Sequence, residues 1–234
     1  MTGDGSGEVV LAPKKNRRAR FSRAANARTT IEGFGHDLDI SFGLTLGQFS
    51  LLDLIEATLD ITGPADVAIS TWSAGFYDVE RAERFRSDGR MRSIRFVLDS
   101  SDKRGQATGA DIESLFGAES IRTTRTHAKF VVVSNDEWNV VIQSSMNLNL
   151  NPRSEQFSMT DDAATAAFVL AVVDELWVEL PAGATLDRRS PALRGVAAVR
   201  DERPMRERVA EAMTLSRAAG LFICYYLQLA MVYI

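Results

Sequence analysis

Two short runs in the sequence hold residue types that do chemistry on phosphate: His127-Ala128-Lys129 and Ser144-Ser145-Met146-Asn147. The first opens an apolar stretch that reads as a strand, where side chains alternate between faces and residues two apart project together. The imidazole of His127 and the ammonium of Lys129 are therefore expected to converge on one pocket. The second run directly follows another apolar stretch, and Ser145 and Asn147 share a face if the extended conformation continues. Imidazole, ammonium, amide and hydroxyl together suit a phosphodiester. One group attacks phosphorus, and the others bind the equatorial oxygens on which charge accumulates.

The elements that must position these residues follow from hydrophobic periodicity and breakers. Apolar positions Leu46, Phe49, Leu52, Leu54, Ile55 and Leu59 predict an amphipathic helix from Thr45 to Asp60, closed by Gly63-Pro64. A strand from Ala65 to Trp72, a helix from Tyr77 to Arg86 and a strand from Ser93 to Leu98 make one βαβ unit. Asp99 to Gly109 reads as a loop, with a short helix after it through Leu115. Lys129 to Val133 and Trp138 to Ile142 form a hairpin across Ser134-Asn135-Asp136-Glu137. A strand from Gln156 to Met159 precedes a helix from Ala163 to about Glu179. The expected class is α/β.

At this point the sequence resembles the phospholipase D superfamily, whose half-motif is His-x-Lys followed, after a hairpin, by Gly/Ser-Ser/Thr-x-Asn and a later Glu. The matching residues are His127, Lys129, Ser144, Ser145, Asn147 and Glu155. The resemblance runs from about Leu46 to Glu179 and implies a sandwich-like half-domain, with a mixed β-sheet flanked by helices and completed by a two-fold dimer. It departs from the family at Ser134, where the motif usually carries Asp, while Asp136 comes two residues too late. The family's site needs two halves, and the only other histidine, His36 in Gly35-His36-Asp37-Leu38, has no Lys two residues on. The missing half is expected from a second copy across a two-fold axis.

The resemblance further implies a phosphodiesterase that forms a phosphohistidine, with Lys129 and Asn147 stabilising the phosphoryl oxygens, Ser144 contributing to substrate binding and Glu155 orienting His127. No metal or other cofactor is expected in that scheme. Three readings follow: a nuclease, an enzyme acting on phospholipid headgroups, and a catalytically silent nucleic-acid-binding relative, for which the missing motif Asp is the warning sign.

Composition sets the surroundings. The 234 residues are 45% hydrophobic, enough for one good-sized core, and carry a net charge of −4. No acidic residue lies between Val9 and Ile31, yet Lys14, Lys15, Arg17, Arg18, Arg20, Arg23 and Arg28 do. This basic arm, 1–30, is expected to be disordered, either holding nucleic-acid phosphates or serving as a solvated leader. The catalytic domain is expected over 31–180 and a C-terminal extension over 181–234. That extension holds a charged helical pattern from Arg200 to Arg217 and an apolar end from Ala218 to Ile234, read as a buried element, an aberrant end or, less favoured, a membrane anchor. A single cysteine, Cys224, allows no intrachain disulfide, and together with an N-terminus unlike a secretory signal it fits a cytoplasmic setting. Trp72 is expected in the core or in a pocket wall, Trp138 and Trp177 in the core, Asn149 and Asn151 in turns, and His36 with Asp37 in a loop.

Overall fold

The computed structural model describes residues 7–13, 21–24, 27–99, 103–149, 153–185 and 191–193. Two strands, β1 (Gly7–Pro13) and β2 (Phe21–Ala24), precede a short helix α1 (Ala27–Thr30) and strand β3 (Leu38–Thr45). Helix α2 (Leu51–Thr62), strand β4 (Ala65–Thr71), helix α3 (Phe76–Ser87) and strand β5 (Met91–Asp99) follow. Helix α4 (Lys103–Phe116) then leads through a single turn of 3-10 helix to strand β6 (Ile121–Thr124). Strands β7 (Phe130–Ser134), β8 (Asn139–Ser144) and β9 (Glu155–Asp161) end at helix α5 (Ala163–Glu179).

The strands form one mixed sheet in the order β2-β1-β3-β9-β8-β7-β4-β5-β6. β4, β5 and β6 run parallel, and the rest pair antiparallel. The β4-α3-β5 crossover is the βαβ unit expected from the sequence.

Both faces of the central strands are covered, and the side-chain alternation sorts residues between them. Val67 and Ile69 of β4, Val131 and Val133 of β7, and Val140 and Ile142 of β8 point into the larger core with α2, α3 and α4. Ala68, Val132 and Val141, one residue out of phase, meet Ala166 and Val173 of α5 on the opposite face. This explains why the strands read as unbroken β-branched runs rather than as apolar-polar alternation. The α/β class with a mixed sheet and flanking helices is the architecture found.

Three expectations need correction. Disorder was expected throughout 1–30, but residues 7–13 and 21–24 are strands that pair antiparallel with each other, and β1 also pairs with the free edge of β3. An open edge supplies the backbone partners that the segment's composition cannot supply as a core. The helix expected from Thr45 starts only at Leu51. Thr45 ends β3, and Ser50 caps the helix with a reciprocal hydrogen-bonded box to Asp53. The loop expected to Gly109 is mostly helix, since α4 begins at Lys103. Helix α4 carries a glycine at 109 because Ala184 approaches so closely that a Cβ there would lie 2.8 Å from the Cβ of Ala184. The segments 14–20 and 194–234 lie outside the described residues, and with them Lys14, Lys15, Arg17, Arg18, Arg20 and the C-terminal extension's charged and apolar stretches.

Candidate active site

One end of the sheet gathers the ends of β4, β5 and β8 and the beginnings of β7 and β9, as the pairings of Ser70 with Phe130, Phe130 with Gln143 and Ser144 with Phe157 require. Ligand sites of α/β sheets form where parallel strands end, and β4 and β5 end here.

His127 sits just ahead of β7 on a segment fixed by its backbone. The Thr126 N–H donates to Asp99 Oδ2 at 2.9 Å, the Ala128 N–H to Thr126 Oγ1 at 3.1 Å, and Ser70 Oγ donates to the Ala128 carbonyl at 2.8 Å. The Lys129 carbonyl accepts from the Ser144 N–H at 3.2 Å, which ties this segment to the end of β8. The two side chains meet as the alternation predicts, with Lys129 Nζ 3.4 Å from His127 Nε2, and the same ammonium donates to the His127 carbonyl at 3.2 Å. His127 itself is exposed and Lys129 half-buried. Burial pushes the Lys129 ammonium below the usual lysine range, and the carboxylates of Glu155 and Asp99 oppose that shift by attraction.

Ser145 and Glu155 form the wall behind. The Ser145 hydroxyl donates to the Glu155 carboxylate and accepts from the Gln156 N–H at 3.0 Å, while the Ser145 N–H donates to the Gln156 carbonyl at 3.0 Å. Ser144 does similar work one residue earlier: its hydroxyl donates to the Gln156 carbonyl at 2.9 Å and accepts from the Met146 N–H at 2.9 Å. Both hydroxyl protons are thus directed at β9. The serines hold the β8-β9 register, and Glu155 joins Ser145 to the field around Lys129.

Asn147 lies between Met146 and Leu148, both buried. The Leu148 N–H donates to the Ser73 carbonyl and to Thr71 Oγ1, each at 3.1 Å, and the Leu148 carbonyl accepts from the Gly75 N–H at 2.8 Å. These bonds pin the Asn147 segment to the end of β4. The Asn147 and Asn149 side-chain carbonyl oxygens are buried without a hydrogen-bond partner among the described residues, an uncommon condition for a buried polar atom.

Ser134 stands where the resemblance led to an expected Asp. Ser134 closes β7 opposite Asn139, and Asp136 is exposed in the turn. The anchoring is done by Asn135. Its Oδ1 accepts from the Glu137 and Trp138 N–H groups at 3.0 and 2.9 Å, and its Nδ2 donates to the carbonyls of Thr62 at 2.9 Å and Pro64 at 3.3 Å. A side chain one residue along holds the turn to the loop before β4.

His36 lies at the other end of β8 and β9. It lies with Asp37 in a turn, as expected, stacks on Trp138 with centroids 3.8 Å apart and bonds Asp161 through Nδ1 at 2.6 Å. Trp138 and Trp177 were expected in the core, yet each is only partly buried and packs against it from the side. One residue that sequence reasoning left out lies at the site, Asp99, and another, Trp72, takes the pocket-wall place that was one of its two expected settings. Asp99 is 4% exposed and holds the His127 segment; its signal was a carboxylate ending an apolar parallel strand. Trp72 is a wall residue, with its ring centroid 5.9 Å from that of His127. Among the described residues, no group of three His, Cys, Asp or Glu side chains has the arrangement of a metal site.

No family model matches the chain, and no curated protein matches it by sequence. Solved structures similar to it include a phospholipase D family member, Nuc from Salmonella typhimurium, at 18% identity and TM-score 0.39, over 58% of this chain and 91% of that one. NucT from Helicobacter pylori aligns at 15% identity and TM-score 0.41, over 61% of this chain and 99% of the other. Phosphatidylserine synthase from Haemophilus influenzae aligns at 14% identity and TM-score 0.39, over 63% of this chain and 40% of the other. These are likenesses of fold at low TM-score, and the chemistry assigned to the site stands on this chain's own residues.

Proposed function

We propose that this chain is a phosphodiesterase of the phospholipase D type, acting on nucleic acid through a phosphohistidine on His127. The observation that carries the reading is the pair of nitrogens, His127 Nε2 and Lys129 Nζ, 3.4 Å apart at a sheet end where Asp99 and Glu155 fix their surroundings. An exposed imidazole supplies a nucleophile. A neighbouring ammonium neutralises the non-bridging oxygens of the same phosphate, so each contributes where charge changes during transfer.

In the first step Nε2 attacks phosphorus, the P–N bond forms, and the bond to the leaving oxygen breaks in line. That oxygen needs a proton, and this chain has one histidine at the site. A second copy related by a two-fold axis brings its own His127, which delivers the proton. In the second step the same base takes a proton from water as the water oxygen attacks phosphorus, and the P–N bond breaks to release the monoester. Asn147, in the segment bonded to β4, adds an amide for the phosphoryl oxygens. Ser145 and Glu155 keep the wall in place. The basic arm with Lys14, Lys15, Arg17, Arg18 and Arg20 favours a polyanionic substrate over a single lipid headgroup.

The test is turnover of bis(p-nitrophenyl) phosphate and of labelled DNA in excess EDTA, wild type against His127→Asn. Turnover that persists in the chelator and is lost in the variant supports the reading, and so does a fall in wild-type activity when excess His127→Asn protein is mixed in to form pairs with one histidine. Equal turnover by wild type and variant would overturn it, and silence of both on both substrates would point to a binding role.

A further inference from the structure

Trp72 follows β4 directly and is 38% exposed, a high value for the largest apolar side chain at the end of a buried strand. Its ring is tilted 53° to that of His127, with centroids 5.9 Å apart. The segment that carries it is braced on both sides. Thr71 Oγ1 donates to the Ser73 carbonyl at 2.8 Å, and the Leu148 N–H donates both to that carbonyl and to Thr71 Oγ1. The indole therefore stands on fixed backbone between the His127 segment and the segment of Asn147. Fixed backbone and an open face are the properties of a stacking platform.

We propose that Trp72 stacks the base of the nucleotide next to the phosphate attacked by His127, so that the substrate class is single-stranded nucleic acid. This rests on the phosphodiesterase reading of the same site. A phosphorus under attack lies about 3 to 3.5 Å from the nucleophile, and the adjoining base, one sugar further on, can fold back over an indole whose centroid is 5.9 Å from that of the imidazole. In a duplex the faces of that base are covered by its neighbours. An indole at this distance can use only a base that has left the stack. A lipid headgroup without a ring would gain nothing from it.

The experiment uses full-length protein carrying His127→Asn, so that ligands are bound without turnover, and reads fluorescence anisotropy. One ligand is a fluorescein-labelled thymidine oligonucleotide, and the other is an equally long chain of abasic tetrahydrofuran phosphates. The thymidine oligonucleotide is expected to bind about five- to a hundredfold more tightly, the range that aromatic stacking on one base spans. Adding Trp72→Ala is expected to erase that difference, and Trp72→Phe to keep most of it. Equal affinity for the two ligands, or an equal loss for both in Trp72→Ala, would overturn the platform. The outcomes are separable. A base preference that depends on Trp72 in a protein whose wild type hydrolyses no phosphodiester keeps the platform and removes the hydrolytic reading.

Discussion

Gly43 is the residue whose replacement tests most sharply how the sheet holds the site. It lies in β3 opposite Phe157 of β9, beside a register shift between Ile40 and Gly43. A Cβ at Gly43 would sit 2.4 Å from both Cε1 and Cζ of Phe157 and 2.9 Å from Cδ1. Carbon atoms in contact settle at about 3.5 to 4.0 Å, so the ring must retreat by more than an ångström. Phe157 is fully buried and packs edge-on against Phe49 with centroids 5.9 Å apart, which leaves no free direction. Overpacking of this kind costs about 1 to 3 kcal/mol, against a gain of about 0.5 to 1 from replacing a strand glycine. The net loss for Gly43→Ala is about 0 to 2.5 kcal/mol with a midpoint of about 1.3, or a fall in Tm of up to about 10 °C at the 2 to 4 °C per kcal/mol of a domain this size. Because Phe157 follows Glu155 and Gln156, which hold Ser145, turnover should fall as well. The control is Gly35→Ala, where a Cβ meets nothing within 4 Å and stability should hold or rise slightly. Calorimetry and phosphodiester turnover on both variants check this; a Gly43→Ala protein as stable and as active as Gly35→Ala would refute the reasoning.

Burial lowers the Lys129 pKa while Glu155 and Asp99 oppose the shift. The cation is the working form and persists only below its pKa, so the alkaline limb of kcat/KM should fall at a pH below the ordinary lysine value, and Glu155→Gln should move that limb lower still; an unmoved or higher limb contradicts the assignment. Asp99→Asn keeps the shape but exchanges a charge-assisted hydrogen bond to Thr126 for a neutral one, a difference of about 1 kcal/mol. Its kcat should drop about five- to tenfold with KM little changed, and steady-state kinetics showing a KM effect alone would count against a positioning role. Asn135→Ala should cost about 1 to 3 kcal/mol in urea denaturation by removing the turn's anchoring bonds, and a loss under about 0.5 kcal/mol would show that Asn135 does not replace the motif's Asp.

Helix α5, expected from Ala163 to about Glu179 and found from Ala163 to Glu179, was legible because a long apolar run follows Asp162, whose carboxylate caps the first turn by accepting from the Thr165 N–H. β4, β5, β7 and β8 were legible because burial on both faces makes them dense in β-branched residues. β6 was not: Ile-Arg-Thr-Thr is polar in composition yet fully buried, and Arg122 is accommodated by bonding Glu119 and lying 4.8 Å over the Trp177 ring. β3 escaped because Gly43 and a bulge interrupt its alternation. In the site, the contact of His127 with Lys129 followed from a spacing of two, whereas Glu155 was expected to orient His127 and its bond to Ser145 was not read from the sequence. Asp99 and Trp72 lie far from that motif in sequence and reach it only because parallel strands β4 and β5 end beside the start of β7. Local pattern cannot report that neighbourhood.

The stereochemical course at phosphorus tests the central claim most directly. With a chiral phosphorothioate diester hydrolysed in isotopically labelled water, attack by His127 followed by attack of water gives two inversions, so the account predicts overall retention in wild type and no product from His127→Asn. Overall inversion would mean that water attacks the diester directly, and His127 would not be the nucleophile.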